Sequence, residues 1–217
     1  MVVRNGQKAA WMNHTNTKIT FVLLAGGKSA RMGEDKGLIS IHQNSNFLTK
    51  TLKKLNIFSK SIFVSIREEQ TELYTKYIPK TSLIPDKALP VDGPLKGILS
   101  SYIYLKENKL SNDFIYFLPI DIPFFKLRTI KRLLDVYNTQ TKPIQGIFYK
   151  SNSGLEPLCG IYSSAILSEW IKNIFLDKIP ELSLQKRIKN LHPEPIILNL
   201  PSNEEYNFRN INTKKDL

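Results

Sequence analysis

The stretch FVLLAGGKSARMGEDKGL, Phe21 to Leu38, joins an apolar run to a glycine-rich, basic turn. Together with Ile19 and Thr20, its first half is rich in β-branched and bulky apolar side chains. That composition predicts a strand buried on both faces of a parallel sheet. Gly26 and Gly27 end it. Paired glycines let a backbone turn tightly and bring its N–H groups close to an anion. Arg31 and Lys36 would then supply the charge that neutralises a triphosphate. A dinucleotide fingerprint needs G-x-G-x-x-G, which this spacing does not give. A Walker A loop would need a glycine where Val22 stands. Two readings remain, a phosphate-wrapping loop of another kind and an ordinary strand-to-helix turn with a solvated basic face.

Beyond this stretch, apolar runs alternate with amphipathic ones. NFLTKTLKKLNIF spaces Phe47, Leu48, Leu52, Leu55 and Phe58 at helical intervals. SIFVSI and TSLIPD predict further strands, with LYTKYI as a short helical turn between them. LKGILSSYIYLKEN predicts a helix opened by Gly93-Pro94. DFIYFLPIDIPFF predicts a central strand and LRTIKRLLDVYNT a helix. KPIQGIFYK and PLCGIYSS read as paired strands around the turn SNSGLE. AILSEWIKNIFL and LSLQKRIKNL read as helices, the second with a basic solvated face. EPIILNL reads as a late strand, and TKKDL as the start of a last helix. This alternation predicts an α/β fold, a three-layer α/β/α sandwich with a mostly parallel, Rossmann-like sheet. In such sheets ligands sit beyond the carboxyl ends of the strands. The residues to follow are therefore the glycine loop, Ser65 to Arg67, Asp86 and Asp121.

The chain of 217 residues, 41% hydrophobic, is long enough for one core. We expect a single domain over residues 18–217 after a frayed leader over 1–17. No window is apolar and long enough to span a membrane, and the leader lacks the apolar core of a signal peptide, which predicts a cytoplasmic protein. One cysteine, Cys159, excludes an internal disulfide framework. His14, His42 and His192 are too scattered for a zinc site. The net charge of +12 is spread along the chain. A nucleic-acid module would show a basic stripe interleaved with aromatics, and none is visible.

Two acids stand out by position. Asp86 follows a predicted strand and precedes Gly93-Pro94-Leu95-x-Gly97. It is either a turn aspartate after proline or an acceptor for a base edge, since guanine offers N1–H and N2–H₂ donors that suit one carboxylate. Asp121 ends the central apolar strand between Pro119 and Pro123. Burying it is costly without a partner. A divalent cation is the natural one, because Mg²⁺ takes one or two carboxylates plus substrate phosphates. A helix N-cap is the alternative.

The stretch LLAGGKSARMGEDKGL resembles the L-A-G-G-x-S-x-R-M-G-x-D-K signature of the molybdenum cofactor guanylyltransferases. It matches at Leu24, Ala25, Gly26, Gly27, Ser29, Arg31, Met32, Gly33, Asp35 and Lys36. A looser form is shared by enzymes that activate sugars, alditols or cofactors as nucleoside diphosphate derivatives. The resemblance implies a nucleotide-diphospho-sugar transferase-like fold and transfer of GMP from GTP to the terminal phosphate of molybdopterin. It implies nucleotide binding by Leu24, Ala25, Gly26, Gly27, Lys36, Ser65, Asp86 and Asp121, and a catalytic set of Arg31, Lys36 and Asp121. It also implies Mg²⁺ on Asp121 and guanine on Asp86. Ser65 stands where the family often has asparagine. EPLCGIY resembles the family's P-L-x-x-x-Y strand, which faces the second substrate, with Cys159 there a small buried residue rather than a nucleophile. FRNINT resembles F-x-N-[IV]-N-T, which would place Asn210 and Asn212 near the pterin phosphate. Transient contact with molybdopterin-loading and molybdoenzyme-maturation proteins is implied too. CMP transfer, sugar or alditol activation, and a non-catalytic cofactor carrier are the other readings.

Overall fold

A computed structural model describes residues 19–27, 35–42, 45–110, 112–176, 183–211 and 216. The leader, Arg31, Asn212 and nearly all of TKKDL lie outside the described residues.

The strands are β1 (Ile19–Leu24), β2 (Ser40–His42), β3 (Ser45–Asn46), β4 (Ile62–Ile66), β5 (Leu83–Pro85), β6 (Phe114–Pro119), β7 (Gly146–Ser151), β8 (Gly154–Ser163) and β9 (Ile196–Asn199). The helices are α1 (Phe47–Leu55), α2 (Thr71–Tyr74), α3 (Pro94–Glu107), α4 (Leu127–Thr139), α5 (Ser164–Phe175) and α6 (Leu184–Lys189). Seven strands form one sheet in the order β5-β4-β1-β6-β8-β7-β9. β1 pairs in parallel with β4 on one side and β6 on the other. β8 runs antiparallel to both β6 and β7, and β9 is again parallel to β7. The sheet is mostly parallel, as the alternation predicts.

Successive residues of a strand face opposite sides, and that splits the core in two. Phe21, Leu23, Val64, Tyr116 and Leu118 face one layer with Phe47, Leu48 and Leu55 of α1 and Ile130, Leu133 and Leu134 of α4. Val22, Phe63, Ile115 and Phe117 face the other with Ile98, Leu99 and Tyr102 of α3 and Leu167 and Trp170 of α5. Burying one such aliphatic or aromatic side chain is worth about 1.5–3 kcal/mol, so the three-layer sandwich follows from strand composition alone. Asn46 starts α1 with a capping box, its Oδ1 accepting from Thr49 N at 2.8 Å.

Several local expectations need correction. The short β2–β3 hairpin has no sequence signal, because two or three residues carry no period. The helical turn in the LYTKYI region is α2, which lies earlier, over Thr71–Tyr74. The turn within SNSGLE shrinks to Asn152 and Ser153, with both strands running up to it. The basic helix α6 is only half solvated: Arg187 is buried and lies over the Trp170 ring at 5.9 Å. Among the described residues, no helix is long and apolar enough to cross a membrane.

Candidate active site

The chain runs from β1 outward through β4 to β5, then returns to place β6 on the other side of β1. Strand order therefore reverses between β1 and β6, the place where open α/β sheets bind ligands. The register levels the strand ends: Leu24 is opposite both Ser65 of β4 and Pro119 of β6. A cleft of about 620 Å³ opens there.

Its lining includes Leu24, Ala25, Gly26, Gly27, Lys36, Ser65, Asp86 and Asp121, so the structure brings together every described residue assigned to nucleotide binding from sequence. Arg67, Asp92, Lys96 and Leu158 line it as well. The sequence flagged Arg67 only by its place beyond β4. It gave no reason to single out Lys96 beyond its unspecified place in G-P-L-x-G.

Two ends of the cleft differ. At one, Asp121 follows β6 and its Oδ2 lies 3.5 Å from Lys36 Nζ, a contact at the long limit of hydrogen bonding. Burial raises the Asp121 carboxyl above its usual range, while the Lys36 charge and hydrogen bond pull it back. At the other end, Asp86 follows β5, its N–H held by Ile66 O at 2.8 Å. Burial raises its carboxyl too, opposed by the charges of Lys96 and Arg67. Among the described residues, Asp86 Oδ1 is buried without any hydrogen-bond partner. A buried acceptor left unmatched costs about 1–3 kcal/mol, so this oxygen is suited to a ligand donor rather than to the turn role that proline spacing allows.

The glycines act differently from the simple expectation. Positive φ among the described glycines occurs at Gly93 and Gly154, not at Gly26 or Gly27. What matters at Gly27 is the missing side chain, since a Cβ there would meet nothing within 4 Å and would project into space beside the cleft. Gly93, with φ 64° and ψ −153°, takes a conformation open only to glycine and starts α3. At Gly97 a Cβ would come within 3.0 Å of Ser65 Oγ, so this glycine sets how closely α3 approaches β4.

Of the three described aspartates that line the cleft, Asp86, Asp92 and Asp121, the last stands beside Lys36 and is the hard-oxygen candidate for a metal. No group of three or more His, Cys, Asp or Glu side chains that could hold an ion gathers among the described residues. A single half-covered carboxylate facing a phosphate-sized cleft fits an ion that takes its other ligands from phosphate and water, as Mg²⁺ does.

The remaining assignments divide. Ile211 N donates to Asp121 O at 2.8 Å, which ties the C-terminal segment to the same corner. Asn210 is next to that tie, exposed and outside the cleft lining. In the EPLCGIY strand, Leu158 lines the cleft but Tyr162 does not face a substrate. It is buried in the second core, its hydroxyl donating to Pro157 O at 2.5 Å. Cys159 is buried against Tyr116, and burial pushes its thiol up to about 12, consistent with a structural residue. Glu204, missed from sequence, is a buried acid bound by Arg128 at 2.7 Å, Arg132 at 2.9 Å and Thr129 at 2.6 Å. It fastens the turn Ser202–Phe208 to α4, just before Asn210.

Residues 21–190 match the family model of the MobA-like NTP transferase domain. A probable molybdenum cofactor guanylyltransferase of Clostridium perfringens is 26% identical over 198 residues, covering 90% of this chain and 92% of its own. A molybdenum cofactor guanylyltransferase of Haemophilus influenzae is 30% identical over 202 residues, covering 92% and 95%. Among solved structures, the molybdopterin-guanine dinucleotide biosynthesis protein A of Archaeoglobus fulgidus superposes with a TM-score of 0.66 at 20% identity, covering 91% of this chain and 94% of its own.

Proposed function

Because the chain belongs to the MobA-like NTP transferase domain family, we propose that it transfers GMP from GTP to the terminal phosphate of molybdopterin. An oxygen of that phosphate attacks the α-phosphorus of GTP. The bond from the α-phosphorus to the bridging oxygen breaks, pyrophosphate leaves with the electron pair, and a new P–O–P linkage forms the guanine dinucleotide. No protein nucleophile takes part.

The observation that carries this reading is Asp86. Its buried Oδ1 has no partner among the described residues, and the residue lines the same cleft as the glycine loop, Lys36 and Asp121. A guanine N1–H and N2–H₂ edge supplies two adjacent donors to one carboxylate, whereas cytosine has one donor group, N4–H₂, beside the N3 acceptor. At the other end Lys36 offsets the charge of two anionic reactants, which otherwise repel. Asp121 would hold a magnesium ion, whose charge adds to that offset. Arg31, outside the described residues, would share the triphosphate charge. Asn210 and Asn212 would meet the acceptor, a reading supported by the tie from Ile211 N, next to Asn210, to Asp121 O. Catalysis is then positioning and charge neutralisation.

The test is pyrophosphate release by purified protein with Mg²⁺ and molybdopterin, comparing GTP with CTP and ATP. Release with GTP alone, dependent on the pterin, is expected. Release with CTP in its place would overturn the assignment of Asp86 while leaving the phosphate corner standing. No release with any nucleotide would overturn catalysis and favour a carrier.

A further inference from the structure

Two side chains from one short segment hold the phosphate loop by its backbone. Arg67 follows β4, and Gln70 closes the 3₁₀ turn Glu68–Gln70. Arg67 Nη1 donates to Gly26 O at 3.0 Å and Gly27 O at 2.7 Å, while its Nε pairs with Glu69 at 2.6 Å. Gln70 is buried, and its Oε1 accepts from Arg67 N at 2.7 Å, which fixes the amide's orientation. Its Nε2 carries two hydrogens. That nitrogen donates to Ala25 O at 3.2 Å and to Asp35 Oδ2.

The two acceptors stand at opposite ends of the glycine loop. Ala25 is where the chain leaves β1, and Asp35 is where the chain returns, immediately before Lys36. One amide group therefore joins the neck of the loop. Asp35 is held from its other side too, its Oδ1 accepting from Gly37 N at 2.9 Å and from the Tyr74 hydroxyl at 2.7 Å. In a planar trans peptide the C=O and the next N–H point in opposite directions. Holding the carbonyls of Ala25 and Gly26 against Gln70 and Arg67 thus turns the N–H groups of Gly26 and Gly27 away from them. Among the described residues, neither N–H has a backbone acceptor.

We propose that Gln70 is the positioning residue of this phosphate loop, working with Arg67 to fix the Gly26 and Gly27 amides and the Asp35–Lys36 return before a triphosphate arrives. The ligand rests on the nucleotidyl-transfer reading; the staple itself rests on the hydrogen bonds. Donors fixed in advance need no reorganisation on binding. A buried glutamine that merely satisfied its neighbours would matter for stability and for nothing else.

The experiment is a donor swap. Gln70→Leu and Gln70→Glu each remove the donation to Asp35, as does Asp35→Asn, which sets two amide nitrogens face to face. Gln70→Glu combined with Asp35→Asn restores the contact with donor and acceptor exchanged and with the wild-type net charge. Each single variant is expected to lose about tenfold in GTP affinity while guanosine affinity, followed by NMR, stays within about twofold. The backbone order parameters of Gly26 and Gly27 should fall from about 0.85 to below about 0.6. The swap should recover at least about threefold of the affinity. Singles that bind GTP as the wild type does, with ordered glycines and only a lower Tm, would overturn the proposal. If the wild type binds no triphosphate, the nucleotidyl-transfer reading falls, and order parameters of the ligand-free Gln70→Leu protein decide the staple by themselves: retained order sinks it. If the variants do not fold, exchange of the wild-type Gln70 side-chain amide protons decides, and rapid exchange of both would overturn the staple.

Discussion

The two carboxylates of the cleft make a controlled comparison. Asp86 and Asp121 each follow a parallel strand, each faces the same opening, and burial raises both above the usual carboxylate range. Their neighbours differ. Lys36 stands 3.5 Å from Asp121, whereas Lys96 and Arg67 act on Asp86 through charge alone. Arg67 is already occupied by the Gly26 and Gly27 carbonyls and by Glu69. A buried carboxylate with a cation at its side is suited to charge shared with phosphate and metal. One with a bare lone pair is suited to the N–H donors of a neutral ring. Residue type and strand position are the same, so the neighbours set the chemistry.

The comparison predicts unequal mutants. Asp121→Ala should lower turnover by about 10³-fold or more, with a Tm close to wild type because the lost partner is a ligand rather than the core. Retained turnover in a pyrophosphate-release assay would erase the distinction between the two ends. Lys36→Ala comes next, at about 10²-fold in kcat/KM, and part of its loss should appear as weaker triphosphate binding by calorimetry.

Asp86→Asn should cost about 1–3 kcal/mol of GTP binding with little change in the chemistry of bound substrate. Inosine triphosphate, which lacks the 2-amino donor, should bind the wild type more weakly than GTP and bind the variant no differently from GTP. A pH titration sharpens this. Because burial raises the Asp86 carboxyl, protonation on acidification should remove the acceptor and weaken GTP binding through that raised value. The same shift means the native state holds this proton more readily than the unfolded chain, so its contribution to the ligand-free fold grows as pH falls. Taken as differences between the wild type and Asp86→Asn, binding and stability should therefore move in opposite directions as pH falls, and parallel movement of the two differences would argue against Asp86 as the base acceptor.

Glu204 is the control, a third buried acid, here fully matched by Arg128, Arg132 and Thr129. Burial raises its carboxyl, but the hydrogen bonds and charges of its partners outweigh that and hold it below the ordinary 4.5. Its stabilisation is present above the unfolded value and is lost as pH falls through the lower folded one. Glu204→Gln should cost about 1–2 kcal/mol at neutral pH, measured by urea unfolding, with the difference closing in acid and activity nearly unchanged.

The layers were legible locally, although the bounds of the short turns were not. Strands buried on both faces are apolar without interruption, and helices that cover them repeat their apolar residues every three or four positions. Those periods are properties of consecutive residues, so the three-layer fold was legible in the chain. That the glycine loop and Asp121 would lie at strand ends was legible for the same reason, since a polar group that interrupts an apolar strand end is visible in a few letters. The β2–β3 hairpin was not, because its strands are shorter than any period. Nor was the burial of Tyr162 in the second core, because its facing depends on which partner β8 finds in the sheet.

The sequence by itself determined the layers, the glycine-loop pattern and the acids at the strand ends. Only the tertiary structure decided that β8 inserts between β6 and β7, that Asp86 beside the cleft keeps an unmatched buried oxygen, and that Arg67 and Gln70 bond the backbone of Ala25, Gly26 and Gly27. The physical reason is distance along the chain. Gln70 meets Ala25 across 45 residues and Asp35 across 35, and hydrogen bonds of that span leave no trace in local composition until the sheet has brought the strand ends level.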